Sequence, residues 1–94
     1  MKVQNMTSNK TGREVANQFI ITDENRIWFQ SYKTLIAKKT LLCDQTKPIQ
    51  VALDYDWDYS KTTGKYRNQF LGETRKETER KIKSGEYTLE NLNS

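Results

Sequence analysis

Between Trp57 and Gly72 the chain interleaves rings, cations and hydrogen-bonding side chains. Trp57, Tyr59, Tyr66 and Phe70 alternate with Lys61, Lys65 and Arg67, and with Ser60, Thr62, Thr63, Asn68 and Gln69. Aromatic faces beside Lys and Arg can hold a base, a phosphate or an acidic protein surface. The functional reading places Lys61, Lys65, Arg67 and Asn68 on an exposed loop and first helical turn, where they would grip phosphates or carboxylates. Tyr59 and Tyr66 would flank them. The competing reading makes the rings core and the cations mere solvation of the surface.

A second candidate is acidic. Asp54, Asp56 and Asp58 match positions 1, 3 and 5 of a calcium loop, but position 6 is Tyr59 and position 12 is Lys65, where Gly and Glu are needed. Continued strand alternation would put the three carboxylates on one face, opposite Tyr55, Trp57 and Tyr59. That face would be a solvated strand end, an acidic contact patch or a weak cation site.

Other chemistries lack their parts. Gly64-Lys65 resembles the end of a phosphate loop, but Tyr59 and Tyr66 stand where the first Gly and the magnesium-binding Ser or Thr belong. Glu79-Arg80-Lys81 has the Glu-x-Lys spacing of some metal-dependent nucleases, yet it falls within a charged helix, where such triplets arise by chance. The chain has no histidine, so Cys43 has no Cys-His dyad and no serine has the usual general base. Beside Leu41 and Leu42, Cys43 reads as a small core residue. The expectation is a binding protein without cofactor, not an enzyme.

Ninety-four residues with 34% hydrophobic content make one domain with a modest core, working on a surface rather than in a deep cleft. The net charge of +4 is unevenly spread. Residues 44–59 carry one basic and four acidic groups, whereas residues 60–84 carry eight basic and three acidic. The surface is therefore two-signed, and a dedicated nucleic-acid binder would show a stronger excess of one sign. The single cysteine allows no internal disulfide, and no apolar run approaches a membrane span. A cytoplasmic protein is expected.

Residues 1–14 read as a flexible polar segment, with Gly12 able to take positive φ in the loop over 7–14. Val15 to Thr22 alternates as a strand, with Val15, Asn17, Phe19 and Ile21 in one phase. Asp23 to Arg26 predicts a four-residue hairpin loop with Asn25 left-handed, returning into a strand over 27–32. The apolar run in 34–40 fits strand or short helix, and the preceding hairpin favours strand. Ile49, Val51 and Leu53 mark another strand after a turn at 44–48. The period then changes. Ser60 or Thr62 can cap a helix with apolar face Tyr66, Phe70 and Leu71, stopped by Gly72. Thr74 with Glu77 forms a capping box for a second, solvated helix closed by Gly85. Tyr87, Leu89 and Leu92 are expected to anchor the tail on the core. The fold class is α+β: an antiparallel sheet of about four strands, then two helices packed on one face.

The block from Trp57 to Ser60 and Thr62 to Glu73, with Ser8-Asn-Lys, Phe29 to Tyr32 and Lys81 to Tyr87, resembles a family of small uncharacterised proteins encoded by bacteriophages and mobile elements. The resemblance covers most of the chain and supplies no site residues. It implies an accessory factor that binds host machinery, a group that includes anti-CRISPR inhibitors of bacterial immunity. The expected partner is a host protein complex; the alternative is DNA or RNA bound through the basic, aromatic turn and helix.

Overall fold

A computed structural model describes residues 1–41 and 49–93. The turn expected at 44–48 and Cys43 lie outside the described residues. The domain is α+β. Six strands, β1 (Lys2–Thr7), β2 (Glu14–Asp23), β3 (Arg26–Ser31), β4 (Thr34–Leu41), β5 (Ile49–Asp54) and β6 (Thr88–Glu90), lie side by side in chain order. All neighbours are antiparallel except β5 and β6, which pair parallel. A parallel neighbour needs a crossover, and helices α1 (Lys61–Leu71) and α2 (Arg75–Ser84) supply it.

Two strands exceed the sequence expectation. Residues 2–7, read as part of a flexible polar lead, form edge strand β1; only Met6 among them is buried. A strand with one inward apolar residue carries almost no periodic signal. The β6 strand is three residues long and exposed throughout, so it too is silent. Only Tyr87 of the tail enters the core; Leu89 is 37% exposed.

Two turns are also tighter or stranger than predicted. Glu24 and Asn25 alone join β2 to β3, and Asn25 does not take positive φ. Among the described residues, those other than glycine with positive φ are instead Asn17 (67°) and Tyr32 (56°). Asn5 faces Phe19 while Thr7 faces Glu14, so residues 15–18 bulge opposite Met6. The bulge breaks the expected alternation. Val15 and Ile20 pack on the core and Gln18 is 1% exposed, whereas Phe19 shares a face with Ile21 on the other side.

The core lies between the sheet and the helices. Phe29, Ile36, Ala37 and Leu53 are fully buried, and Met6, Val51, Tyr66, Phe70 and Tyr87 nearly so. Phe29 stacks on Phe70 with ring centroids 5.8 Å apart, and Ser31 shares a 2.9 Å hydrogen bond with Thr63. These contacts identify the helix-facing side of β3 as Ile27, Phe29 and Ser31. Ser60 caps α1 by accepting from the Thr63 amide, and Thr74 with Glu77 completes the capping box of α2. The α1–α2 turn is then locked by Glu73, whose carboxylate accepts from Thr78 Oγ1 (2.6 Å), Tyr87 OH (2.7 Å) and Lys81 Nζ (2.9 Å).

Candidate anion-binding site

The site begins where β5 stops. Asp54 is 4% exposed, and its carboxylate accepts from the amides of Asp56 (3.0 Å) and Leu92 (2.8 Å). The Trp57 amide donates back to the Asp54 carbonyl at 3.0 Å. These bonds turn the chain at residues 55–58 in place of the extended run expected there. Asp54, Asp56 and Asp58 consequently form no common face: Asp54 is buried as a turn anchor, Asp56 is exposed, and Asp58 is consumed by arginines. No group of three metal-ligating side chains suited to an ion occurs among the described residues.

Arg67 lies two turns into α1 and reaches back toward the helix start, the direction helical side chains favour. Its Nη1 donates to the Trp57 carbonyl and to Asp58 Oδ1, both at 2.9 Å, and its Nη2 donates to Asn68 Oδ1 at 2.9 Å. Its guanidinium also lies 4.9 Å from the Trp57 ring centroid. The Arg67 side chain is 1% exposed. The expectation of a free surface cation is therefore corrected: Arg67 is the internal brace of the turn. Tyr66, 7% exposed, is corrected likewise to a core ring.

The other expected residues do come together. Tyr59, Lys61, Lys65 and Asn68 line one open depression of roughly 700 Å³, with Asp58, Gly64, Arg67 and Arg75. Tyr59 is 50% exposed, and Lys61 and Lys65 point to solvent. Arg75 contributes from α2 and was not singled out in the sequence, where it reads as one more charge on a solvated helix. Its Nε donates to Asp58 Oδ2 at 2.6 Å. Burial would raise the Asp58 pKa, but hydrogen bonds from Arg75 and Arg67 outweigh it and hold the carboxyl below the usual range. Asp58 thus stays ionised and is shared by two arginines.

Arg67 and Arg75 share Asp58, and Arg75 also engages Glu79, so Lys61 and Lys65 are the cations of the depression without an ion-pair partner among the described residues and give it a net positive charge. The first turn of α1 carries no acidic residue. Lys61 sits at the positive end of the helix dipole, where cations are disfavoured and anions are welcome, and Lys65 follows one turn on. A depression so lined can take a carboxylate or phosphate, with the Tyr59 ring as an apolar wall. A smaller depression of roughly 430 Å³ adjoins it through Arg75 and is lined by Lys76, Glu79, Arg80 and Lys83. Glu79 engages Arg75 (3.1 Å) and Lys83 (3.2 Å), while Lys76 and Arg80 have no ion-pair partner among the described residues.

No curated protein and no solved structure matches the chain. Residues 1–86 match a family of unknown function, DUF8033, and the chain belongs to that family.

Proposed function

We propose that this family member is a non-enzymatic accessory protein of phage or mobile-element type that docks on a host protein complex and blocks or redirects it. A bacterial defence system, inhibited in the manner of an anti-CRISPR protein, is the preferred target. One observation carries the reading: Tyr59, Lys61, Lys65 and Arg75 surround a single depression at the start of α1, whose first turn holds Lys61 and no acidic residue. Local charge placement that works against the helix is what a site built for an external anion requires. The group captured would be an acidic side chain of the partner surface. The setting is cytosolic, in keeping with the absence of any helix long and apolar enough to cross a membrane among the described residues.

Pulldown from a bacterial lysate tests this, with Lys61→Glu/Lys65→Glu as the matched control. The expected result is a specific protein retained by the wild type and lost by the double variant at unchanged melting temperature. Equal retention by both proteins would sink the assignment of the depression.

A second reading, nucleic-acid binding, is favoured by the continuation of the cations along α2 through Lys76 and Arg80. It requires affinity that falls steeply with salt. Gel shifts on single- and double-stranded DNA and RNA separate the two readings; no shift at low salt removes the second and leaves the first.

A further inference from the structure

The helices cover one side of the sheet, and the residues on the other side form a pattern unrelated to the depression. Because Phe29 and Ser31 meet α1, Trp28 and Gln30 point away from it. Register carries that assignment across the sheet. Trp28 lies opposite Ile21 and Lys38, and Ile21 lies opposite Val3. In the adjacent row Gln30 lies opposite Phe19 and Leu35. Val3, Phe19, Ile21, Trp28 and Leu35 therefore share an uncovered face, with Lys38 in its row. None of these five belongs to the core cluster or packs against it. Val3 is 57% exposed, and the other four are half-buried. A contiguous apolar surface of this kind on a small domain marks an interaction site.

We propose that this face is the interface of a homodimer, in which two copies pack sheet against sheet. Composition favours a second copy over a nucleic acid. Aliphatic side chains outnumber the rings, and the charges at the margin of the face are of both signs, with Asp23 standing opposite Arg26 and Lys38 opposite Trp28. The face is also self-complementary, as a two-fold interface requires. With the two-fold axis running along β3 in the plane of contact, β2 of one protomer lies over β4 of the other. Phe19 then covers the partner subunit's Leu35, and Trp28 meets the partner subunit's Trp28 at the axis. Ile21 lies beside the partner subunit's Lys38, whose ammonium extends one side-chain position along the strand to Asp23. Neither Asp23 nor Lys38 has an ion-pair partner among the described residues. Aligned sheets about 10 Å apart accommodate this arrangement.

Five strands about 4.8 Å apart and about six residues long give a face of roughly 24 by 20 Å. That is about 480 Å² per protomer and about 960 Å² in all, below the roughly 1,200–2,000 Å² of stable interfaces, so the dimer is a weak one and dissociates on dilution. Both depressions lie on the helix side and stay accessible, and the dimer presents two copies of the anion site to a partner, gaining avidity.

Analytical ultracentrifugation of the full chain from about 1 µM to about 1 mM decides the matter. The expected mass rises from 11.1 kDa toward twice that value. Trp28→Glu should remain monomeric at every concentration. Asp23→Lys and Lys38→Asp should each weaken association at least about tenfold, and combining them should restore it, a reversal that general misfolding cannot produce. If Trp28→Glu fails to fold by circular dichroism, the charge-swap set decides alone. A wild type monomeric throughout, or a swap that restores nothing, overturns the proposal. A monomer that shifts a single-stranded oligonucleotide only when Trp28 is present overturns it too, and assigns the face to nucleic acid.

Discussion

Arg67 and Asp58 are joined by a 2.9 Å ion pair in which the arginine is 1% exposed and the aspartate 29%. The pair ties α1 to the turn leaving β5, and Arg75 on α2 grips the other carboxylate oxygen. One carboxylate thus positions both helices around the cationic depression.

Removing the buried partner is the costly direction. Arg67→Met keeps much of the volume but leaves the Trp57 carbonyl and Asn68 amide oxygen without their donor. Asp58 keeps Arg75, so the loss expected in urea denaturation is that of stranded buried acceptors, about 1–3 kcal/mol. Lys65→Ala, at an exposed site, should stay within about 0.5 kcal/mol of wild type. Equal stability of the Arg67 variant and the wild type would show that the brace is dispensable.

Gln18 offers the opposite case. Its side chain is 1% exposed and neither amide atom has a hydrogen-bond partner among the described residues. Leaving such a group unpaired is expensive, and an apolar residue of similar shape relieves it. Gln18→Met should raise stability by about 1 kcal/mol. Ser31→Ala, which strands the Thr63 hydroxyl, should lower it by about 1–3 kcal/mol. Thermal unfolding of both variants checks the contrast; a destabilised Gln18→Met would show the amide to be satisfied in solution.

Both acid and alkali should destabilise the domain, through groups clustered on Glu73 and Asp58. For Glu73, burial would raise the pKa, but donation from Thr78, Lys81 and Tyr87 outweighs it and holds the carboxyl low, as the arginines do for Asp58. A carboxyl with a depressed folded pKa adds stability above its unfolded value near 4, and that stability fades as pH falls through the folded value. Lys81 is raised chiefly by its bond to Glu73, and burial and the bond to Glu73 push Tyr87 up to about 12. Their contribution is complete below about pH 10 and is lost as pH climbs beyond it. Stability against pH should therefore be flat from about 5 to 9, and Glu73→Gln should flatten the acid limb. An unchanged acid limb in that variant would count against the assignment.

Gly64 is a test of the depression without charge. It lies within α1, and a Cβ added there would meet the Arg67 guanidinium at 3.6 Å, an ordinary contact. Gly64→Ala should stabilise the helix by about 0.5–1 kcal/mol. If the depression receives a partner group, the same methyl on its lining should weaken docking, which titration against the captured partner would register. Unaltered affinity would place the partner elsewhere, on the cations of α2.

The local elements were written in the sequence because short-range physics sets them. The strand at 49–54, the Thr74–Glu77 capping box and the stop at Gly72 depend on residues a few positions apart, and the structure realises each, although burial in the strand runs from an exposed Ile49 to a buried Leu53 without alternating. So did the neighbourhood of the site: Tyr59, Lys61, Lys65 and Asn68 are close in the chain and line one depression. What no local pattern could supply was the fate of groups whose partners lie far away. Asp54 became a buried anchor because Leu92, 38 residues on, supplies a donor. Arg67 left the surface because a turn nine and ten residues earlier presents a carboxylate and a carbonyl. The strands β1 and β6 have little apolar signal of their own and exist because a neighbouring strand offers its edge. The uncovered side of the sheet became visible only when the crossover through α1 and α2 placed both helices on the other side, since alternation separates two faces but cannot say which one the helices will cover.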